Sequence, residues 1–172
     1  MEVIELGREY SGQILAIFND AILNTTALFD YTVRTQEYMD GWFTSKEEEH
    51  FPVMGIVGDD DELLAFGTYG PFRRWPAYHY SIEHSVYVKK EHRGKGLGKR
   101  VLAEIIRRAE AQDYHTIVAG ICSENVESIE MHRKQGFVFA GRVREAGFKF
   151  GRWLDLDFYQ LLFKTPNHPG EG

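Results

Sequence analysis

The spacing of apolar positions changes several times along the chain, and each change predicts an element. Glu2-Val3-Ile4-Glu5-Leu6 alternates polar and apolar residues before Gly7, a pattern for a first strand at a sheet edge. From Ser11 to Asn24, Ile14, Leu15, Phe18, Ala21 and Ile22 recur at steps of three and four, which predicts an amphipathic helix with Ser11 as its N-cap. Thr25 to Phe29 reads as loop. A second helix is expected from an N-cap at Thr35, with Tyr38, Met39, Trp42 and Phe43 on one face and Glu47-Glu48-Glu49 solvating its end.

Phe51 to Val57 and Leu63 to Tyr69 are apolar runs separated by Gly58-Asp59-Asp60-Asp61-Glu62, which predicts an antiparallel hairpin. Pro71-Phe72-Arg73-Arg74-Trp75-Pro76 forms a stiff aromatic and basic loop ahead of a strand at Tyr80 to Val88. Helical spacing returns from Gly96 to Gln112, and Thr116 to Ile121 reads as a buried strand, so strand, turn, helix and strand predict a parallel crossover. Asn125 to Gln135 reads as a further helix stopped by Gly136, followed by strands at Phe137 to Val143 and Trp153 to Phe163. The expected fold is α/β, a mixed sheet of six or seven strands covered by helices, in one domain over residues 1–164. Residues 165–172 carry two prolines and two glycines without periodicity and are expected to be a frayed tail.

The 172 residues carry a formal net charge of -6, which argues against a general nucleic-acid or membrane-surface binder, because such partners are held by clustered Lys and Arg. A single cysteine, Cys122, cannot form an internal disulfide, and no leader or apolar run of spanning length is present, so the expected location is the cytoplasm. A Cys-His nucleophile pair is not visible around Cys122. The seven histidines show no metal-ligand spacing, so no metal is expected.

Within this acidic chain one short stretch is basic: Lys89 to Arg100 holds six Lys or Arg against one acid, Glu91. It contains Arg93-Gly94-Lys95-Gly96-Leu97-Gly98, placed after an apolar strand and at the start of an amphipathic helix. Glycines there leave backbone N–H groups unobstructed at a helix N-terminus, an arrangement suited to a diphosphate. No Lys-Ser or Lys-Thr pair closes the turn as in a P-loop, and no acid ends a strand about 20 residues on as in a dinucleotide fold. Taken alone, the glycines also fit a turn that merely joins strand to helix.

Together with Val86-Tyr87-Val88 before it, and with Asn125-x-x-Ser128 and Gly136-Phe137 after it, the turn resembles the acetyl-CoA motifs of the GNAT N-acetyltransferase superfamily. Glu83-His84-Ser85-Val86-Tyr87-Val88 and Phe148-Lys149-Phe150-Gly151-Arg152-Trp153-Leu154-Asp155-Leu156 are similar, more narrowly, to its phosphinothricin and methionine sulfoximine acetyltransferase group. The resemblance implies a mixed, mostly antiparallel sheet splayed at the strand ending near Val88, with acetyl-CoA as co-substrate in the gap. It implies that the main chain of Val86, Tyr87 and Val88 pairs with pantetheine, that Arg93, Gly94, Lys95, Gly96, Leu97, Gly98 and Lys99 hold the pyrophosphate, and that Asn125 and Ser128 approach the cofactor arm. It also implies a homodimer.

Direct acetyl transfer to an amine needs the amine neutral, a donor for the oxyanion and a proton for the thiolate. Glu83, Ser85 and Tyr87 share one face of a regular strand. A strand glutamate is ordinarily solvated or salt-bridged; the resemblance makes Glu83 the general base, acting through a water. The strand-end amide near Val88 is the implied oxyanion donor. His132 lies four residues after Ser128 on one helical face, where it either faces the thioester as general acid or packs; most of the superfamily carries a tyrosine in this region. Arg73 and Arg74, flanked by Phe72 and Trp75, suit a carboxylate or phosphinate, although loop position alone equally fits a solvated surface. Phe29, Ser85 and Lys149 are added to the acceptor-side set by resemblance. The expected acceptor is the α-amino group of a small free amino acid or analogue such as methionine sulfone, methionine sulfoximine or phosphinothricin. The alternatives are another amine (a polyamine, an aminoglycoside or a peptide N-terminus) and a non-catalytic CoA-binding sensor.

Overall fold

In a computed structural model describing residues 1–171, the chain forms seven strands and four α-helices in one mixed sheet of order β1-β2-β3-β4-β5-β7-β6. The strands are β1 Val3–Glu5, β2 Val53–Val57, β3 Leu63–Pro71, β4 Ser81–Val88, β5 Thr116–Cys122, β6 Val138–Lys149 and β7 Arg152–Leu162. The helices are α1 Ser11–Asn24, α2 Gln36–Glu48, α3 Leu97–Ala111 and α4 Val126–Lys134. Of the pairings whose register is resolved, only β4 with β5 is parallel, the crossover carried by α3. The chain divides into two compact units, interleaved along the sequence: Met1–Tyr69 with Ser85–Ile105, and Gly70–His84 with everything from Ile106 onward.

In the first unit the β2–β3 hairpin pairs from Val53↔Thr68 to Val57↔Leu63, and β1 adds the outer edge at Val3↔Ile56. Its core takes part of the apolar face read from the sequence and adds Ile17: Ile14, Ile17, Phe18 and Ala21 of α1 and Met39 and Phe43 of α2 cluster with Leu63, Phe66 and Tyr87, while Leu15 and Trp42 are only partly buried and Tyr38 is exposed. Phe18 stands edge-on to Phe66 and Tyr87, with ring centres 5.1 and 5.2 Å away, the geometry aromatic quadrupoles favour. Thr35 caps α2 as expected, its hydroxyl accepting from the Tyr38 N–H at 3.2 Å. Ser11 does not cap α1. A 3-10 turn at Arg8–Tyr10 feeds the helix directly, Tyr10 occupies the N-cap, and the Ser11 hydroxyl accepts from Gln36 Nε2 at 2.9 Å. Glu47 does more than solvate: its carboxylate takes two bonds from the Arg8 guanidinium at 2.8 and 2.7 Å.

In the second unit β5 is central, parallel to β4 from Ser81↔Thr116 to Glu83↔Val118 and antiparallel to β7 from Thr116↔Leu162 to Cys122↔Leu156. The β4–β5 pairing covers Ser81 to Glu83, while β4 itself runs on to Val88 and β5 to Cys122. β6 is longer than the strand read at Phe137 to Val143. It passes an irregularity between Val143 and Gly147, where Glu145 takes a left-handed conformation, and turns at Phe150-Gly151 into β7. Buried Asp157 is clamped by Arg142 through two bonds of 2.6 and 2.9 Å. From the tail, the Thr165 hydroxyl donates to the Tyr114 carbonyl at 2.6 Å, and the Gly170 N–H to the Tyr80 hydroxyl at 3.1 Å; its last residue, Gly172, lies outside the described residues.

Candidate active site

The glycine turn belongs to the first unit. Gly94 and Gly96 have φ of +76° and +77°, and a Cβ at either would meet only open space. They are glycines for the backbone conformation, since any other residue would be strained there. The Arg100 N–H bonds the Gly96 carbonyl at 3.3 Å as α3 begins, so the amides of Leu97, Gly98 and Lys99 lie in the first turn of the helix. This backbone fits a pyrophosphate. The expected basic character is partly spent locally: Lys89 pairs with Glu62 at 2.5 Å, and Arg93 pairs with Asp20 at 2.9 Å while its Nε bonds the Val88 carbonyl at 3.2 Å. Arg93 thus fixes the exit of β4 to α1. Phe29 is in this unit too, partly exposed in the loop after α1. Ser85, at the unit's entry into β4, has its carbonyl oxygen 2.9 Å from where a Cβ on Gly67 would stand.

The second unit holds Glu83 on β4. Burial pushes its carboxyl up from the ordinary range, and the Arg73 guanidinium partly opposes this. Arg73 is set by its own loop, its Nη1 donating to the Phe72 carbonyl at 2.7 Å and its guanidinium lying 4.3 Å from the Phe72 ring centre. Phe72 in turn stands edge-on to Phe158 of β7 at 6.4 Å and to Tyr78 at 5.9 Å. Arg74 and Trp75 are exposed on the same loop. Lys149 is buried at the end of β6 with its ammonium 5.1 Å from the Phe150 ring centre.

Asn125 is the N-cap of α4: its side-chain oxygen accepts from the Ser128 N–H at 3.2 Å. One turn on, His132 is buried, its Nδ1 2.7 Å from the Ser128 carbonyl, which can only accept. Nδ1 therefore carries the proton and Nε2 the lone pair. That lone pair faces His84 Nε2 at 3.2 Å, so His84 is the donor and its own Nδ1 is left bare, buried without a partner. Burial lowers the pKa of both, His84 well below the usual histidine value with His132 adding to the effect, while the Ser128 carbonyl works the other way on His132. Cys122 is a buried free thiol. Among the described residues no group of three or more His, Cys, Asp or Glu is placed to hold a metal, and no helix is long and apolar enough to cross a membrane.

Two residues in this neighbourhood escaped the sequence reading. His84 entered it only as part of the Glu83 to Val88 stretch and was given no role. Gly120, inside the apolar run of β5, carried the one signal available, since a glycine in a strand interior often marks a close approach. A Cβ on Gly120 would lie 3.0 Å from Glu83 Oε1.

Residues 16–137 match the acetyltransferase (GNAT) family. The L-methionine sulfoximine/L-methionine sulfone acetyltransferase of Pseudomonas aeruginosa is 43% identical over 148 residues, covering 86% of each chain. The crystal structure of an N-acetyltransferase from Staphylococcus aureus superposes with a TM-score of 0.91 at 43% identity, covering 93% of this chain and 96% of that one. A phosphinothricin acetyltransferase from Sinorhizobium meliloti, solved in complex with acetyl-CoA, gives 0.93 at 29% identity, covering 99% and 93%. With a family match over most of its length and a curated relative this similar across nearly the whole chain, the protein belongs to the acetyltransferase (GNAT) family and is an N-acetyltransferase.

Proposed function

We propose that the chain transfers the acetyl group of acetyl-CoA to the α-amino group of a small free amino acid or analogue of the methionine sulfone, methionine sulfoximine or phosphinothricin kind. The observation that carries this reading is Glu83: a half-buried carboxylate with a raised pKa, facing Arg73, in a chain 43% identical to a methionine sulfoximine and sulfone acetyltransferase. A base whose pKa is lifted toward neutrality accepts a proton from an ammonium more readily than an ordinary carboxylate does. The Arg73 guanidinium supplies a planar donor for the acceptor's carboxylate or phosphinate.

In this reading the first-turn amides of α3, with Gly94 to Lys99, hold the pyrophosphate, and the strand-end main chain near Val88 meets the oxyanion. Glu83, through a water, takes one proton from the acceptor's ammonium. The amine forms the C–N bond, the C–S bond breaks, and the amine's second proton leaves with the thiolate, so Glu83 returns its proton to solvent and no separate acid is needed. His132 is given no proton-transfer step, because its Nδ1–H is committed to the Ser128 carbonyl and its Nε2 to His84.

Thiol release from acetyl-CoA tests the reading, with a panel of free amino acids, methionine sulfone, methionine sulfoximine and phosphinothricin beside a polyamine, an aminoglycoside and a peptide. Turnover is expected with the amino-acid analogues and should fall about 10²- to 10⁴-fold in Glu83→Gln, the usual worth of a general base. Turnover confined to the polyamine, aminoglycoside or peptide would overturn the acceptor class. Acetyl-CoA binding with no thiol release from any amine would point to a sensor.

A further inference from the structure

We infer that Gly120 is a positioning residue: by carrying no side chain it holds open the space at the Glu83 carboxylate through which the acceptor's amine, or the water that takes its proton, reaches the base. The inference rests on the reading of Glu83 as general base and adds the residue that keeps the base accessible. β5 lies between β4 and β7, and its residues Ile117, Val118, Ala119, Ile121 and Cys122 are all buried, yet Gly120 among them is exposed. An exposed position in the middle of a central strand means that open volume lies over it. A Cβ there would stand 3.0 Å from Glu83 Oε1, 3.6 Å from Phe158 Cε1 and 3.7 Å from Leu156 Cδ1, so that volume has a carboxylate on one side and an aromatic and an aliphatic wall on the other.

The backbone does not call for glycine here. The φ of Gly120 lies outside the left-handed region, so alanine would adopt the same strand conformation, and glycine inside a strand is the less stable choice. What glycine contributes is room. A methyl group at 3.0 Å from the carboxylate oxygen has no ordinary contact distance, so the glutamate end must yield by a few tenths of an ångström and loses solvation on that side. The amine that fits is one carried on an aliphatic frame, its nitrogen at Glu83 and its methylene groups along Phe158 and Leu156. The charged group that faces Glu83 is Arg73 from the loop; Gly120, Leu156 and Phe158 do not titrate.

The test compares wild type with Gly120→Ala and Gly120→Ser, using whichever amine the wild type acetylates best. The kcat/KM for the amine is expected to fall about tenfold or more, because small displacements of a reacting group are costly. The KM for acetyl-CoA should stay within about twofold, and the thermal midpoint should not drop. The acid limb of the kcat/KM profile, and the Glu83 carboxyl titration followed by carbon NMR and assigned with Glu83→Gln, should both move to higher pH. Unchanged amine kcat/KM with an unchanged Glu83 titration would overturn the inference, as would losses matched by a lowered melting point or by an equal rise in the acetyl-CoA KM. The NMR titration needs no turnover, so a wild type idle toward amino acids defeats the acceptor reading while Gly120 is still judged by the shift at Glu83.

Discussion

Gly67 in β3 is the position where one added methyl group should do most damage to the first unit. A Cβ on it would come within 2.8 Å of Val101 Cγ1, 2.9 Å of the Ser85 carbonyl oxygen and 3.0 Å of Val86 Cγ2. Ordinary contact begins near 3.4 Å, so the Ser85 carbonyl alone must retreat by about half an ångström. It belongs to the backbone of β4, and Val101 is fully buried on α3, so neither can swing aside as a long side chain would. Overpacking of this kind costs about 1–3 kcal/mol, against a gain of about 0.4–1 kcal/mol from restricting the unfolded chain. For a chain of this size each kcal/mol moves the melting temperature by about 2–4 °C, so Gly67→Ala should melt several degrees below wild type. It should also bind acetyl-CoA more weakly, because the disturbed backbone leads directly into Val86-Tyr87-Val88 and the glycine turn. Scanning calorimetry gives the first quantity and titration calorimetry with acetyl-CoA the second. A melting temperature equal to or above wild type would refute the steric reasoning. A lowered one with unchanged acetyl-CoA affinity would separate this strand from the cofactor.

Two further outcomes follow from the charges near β4. Arg73→Gln removes the cation that holds the Glu83 pKa down against burial, so the acid limb of kcat/KM should move to higher pH than in wild type; a limb that stays or moves lower would show that Arg73 does not act on Glu83. His84 has a lowered folded pKa, so below about pH 6.5 the unfolded chain binds a proton that the folded chain resists. Its contribution to stability is complete above that pH and is lost as pH falls toward and through the folded value. Urea midpoints should therefore drop between pH 7.5 and 5, less steeply in His84→Gln; equal slopes would count against the neutral histidine pair.

Legibility in the sequence followed periodicity. α1 and α2 could be placed because one face of each is apolar over three or more turns, and the cap at Thr35 because its hydroxyl has a backbone N–H three residues on. The far half of β6 could not, because Arg144 to Lys149 has no clean alternation and Glu145 breaks the register. Ser11 shows the limit of cap chemistry: a preceding 3-10 turn moved the cap one residue back. Among the residues proposed for the reaction, Glu83 and the glycine turn were picked out by motif and spacing. The neutral His84–His132 pair was not, since it joins a strand to a helix 48 residues later. Gly120 was hidden for the opposite reason: its effect comes from an atom it lacks.

The interleaving of the two units bears on how such a protein can be recombined. Between His84 and Ser85 the chain passes from one unit to the other in the middle of β4, and it passes back within α3 after Ile105. Phe72, Arg73, Glu83 and Gly120 therefore come from two stretches of sequence separated by the segment that carries Val86 to Lys99. A chimera that imports both of these stretches from a relative and keeps this chain's own glycine turn between them needs three splice points, after Tyr69, His84 and Ile105. A single crossover before Gly70 would bring both stretches together with the relative's glycine turn, and one placed after His84 would bring only the second, so a library built from single crossovers should lack variants that combine both imported stretches with this chain's own turn.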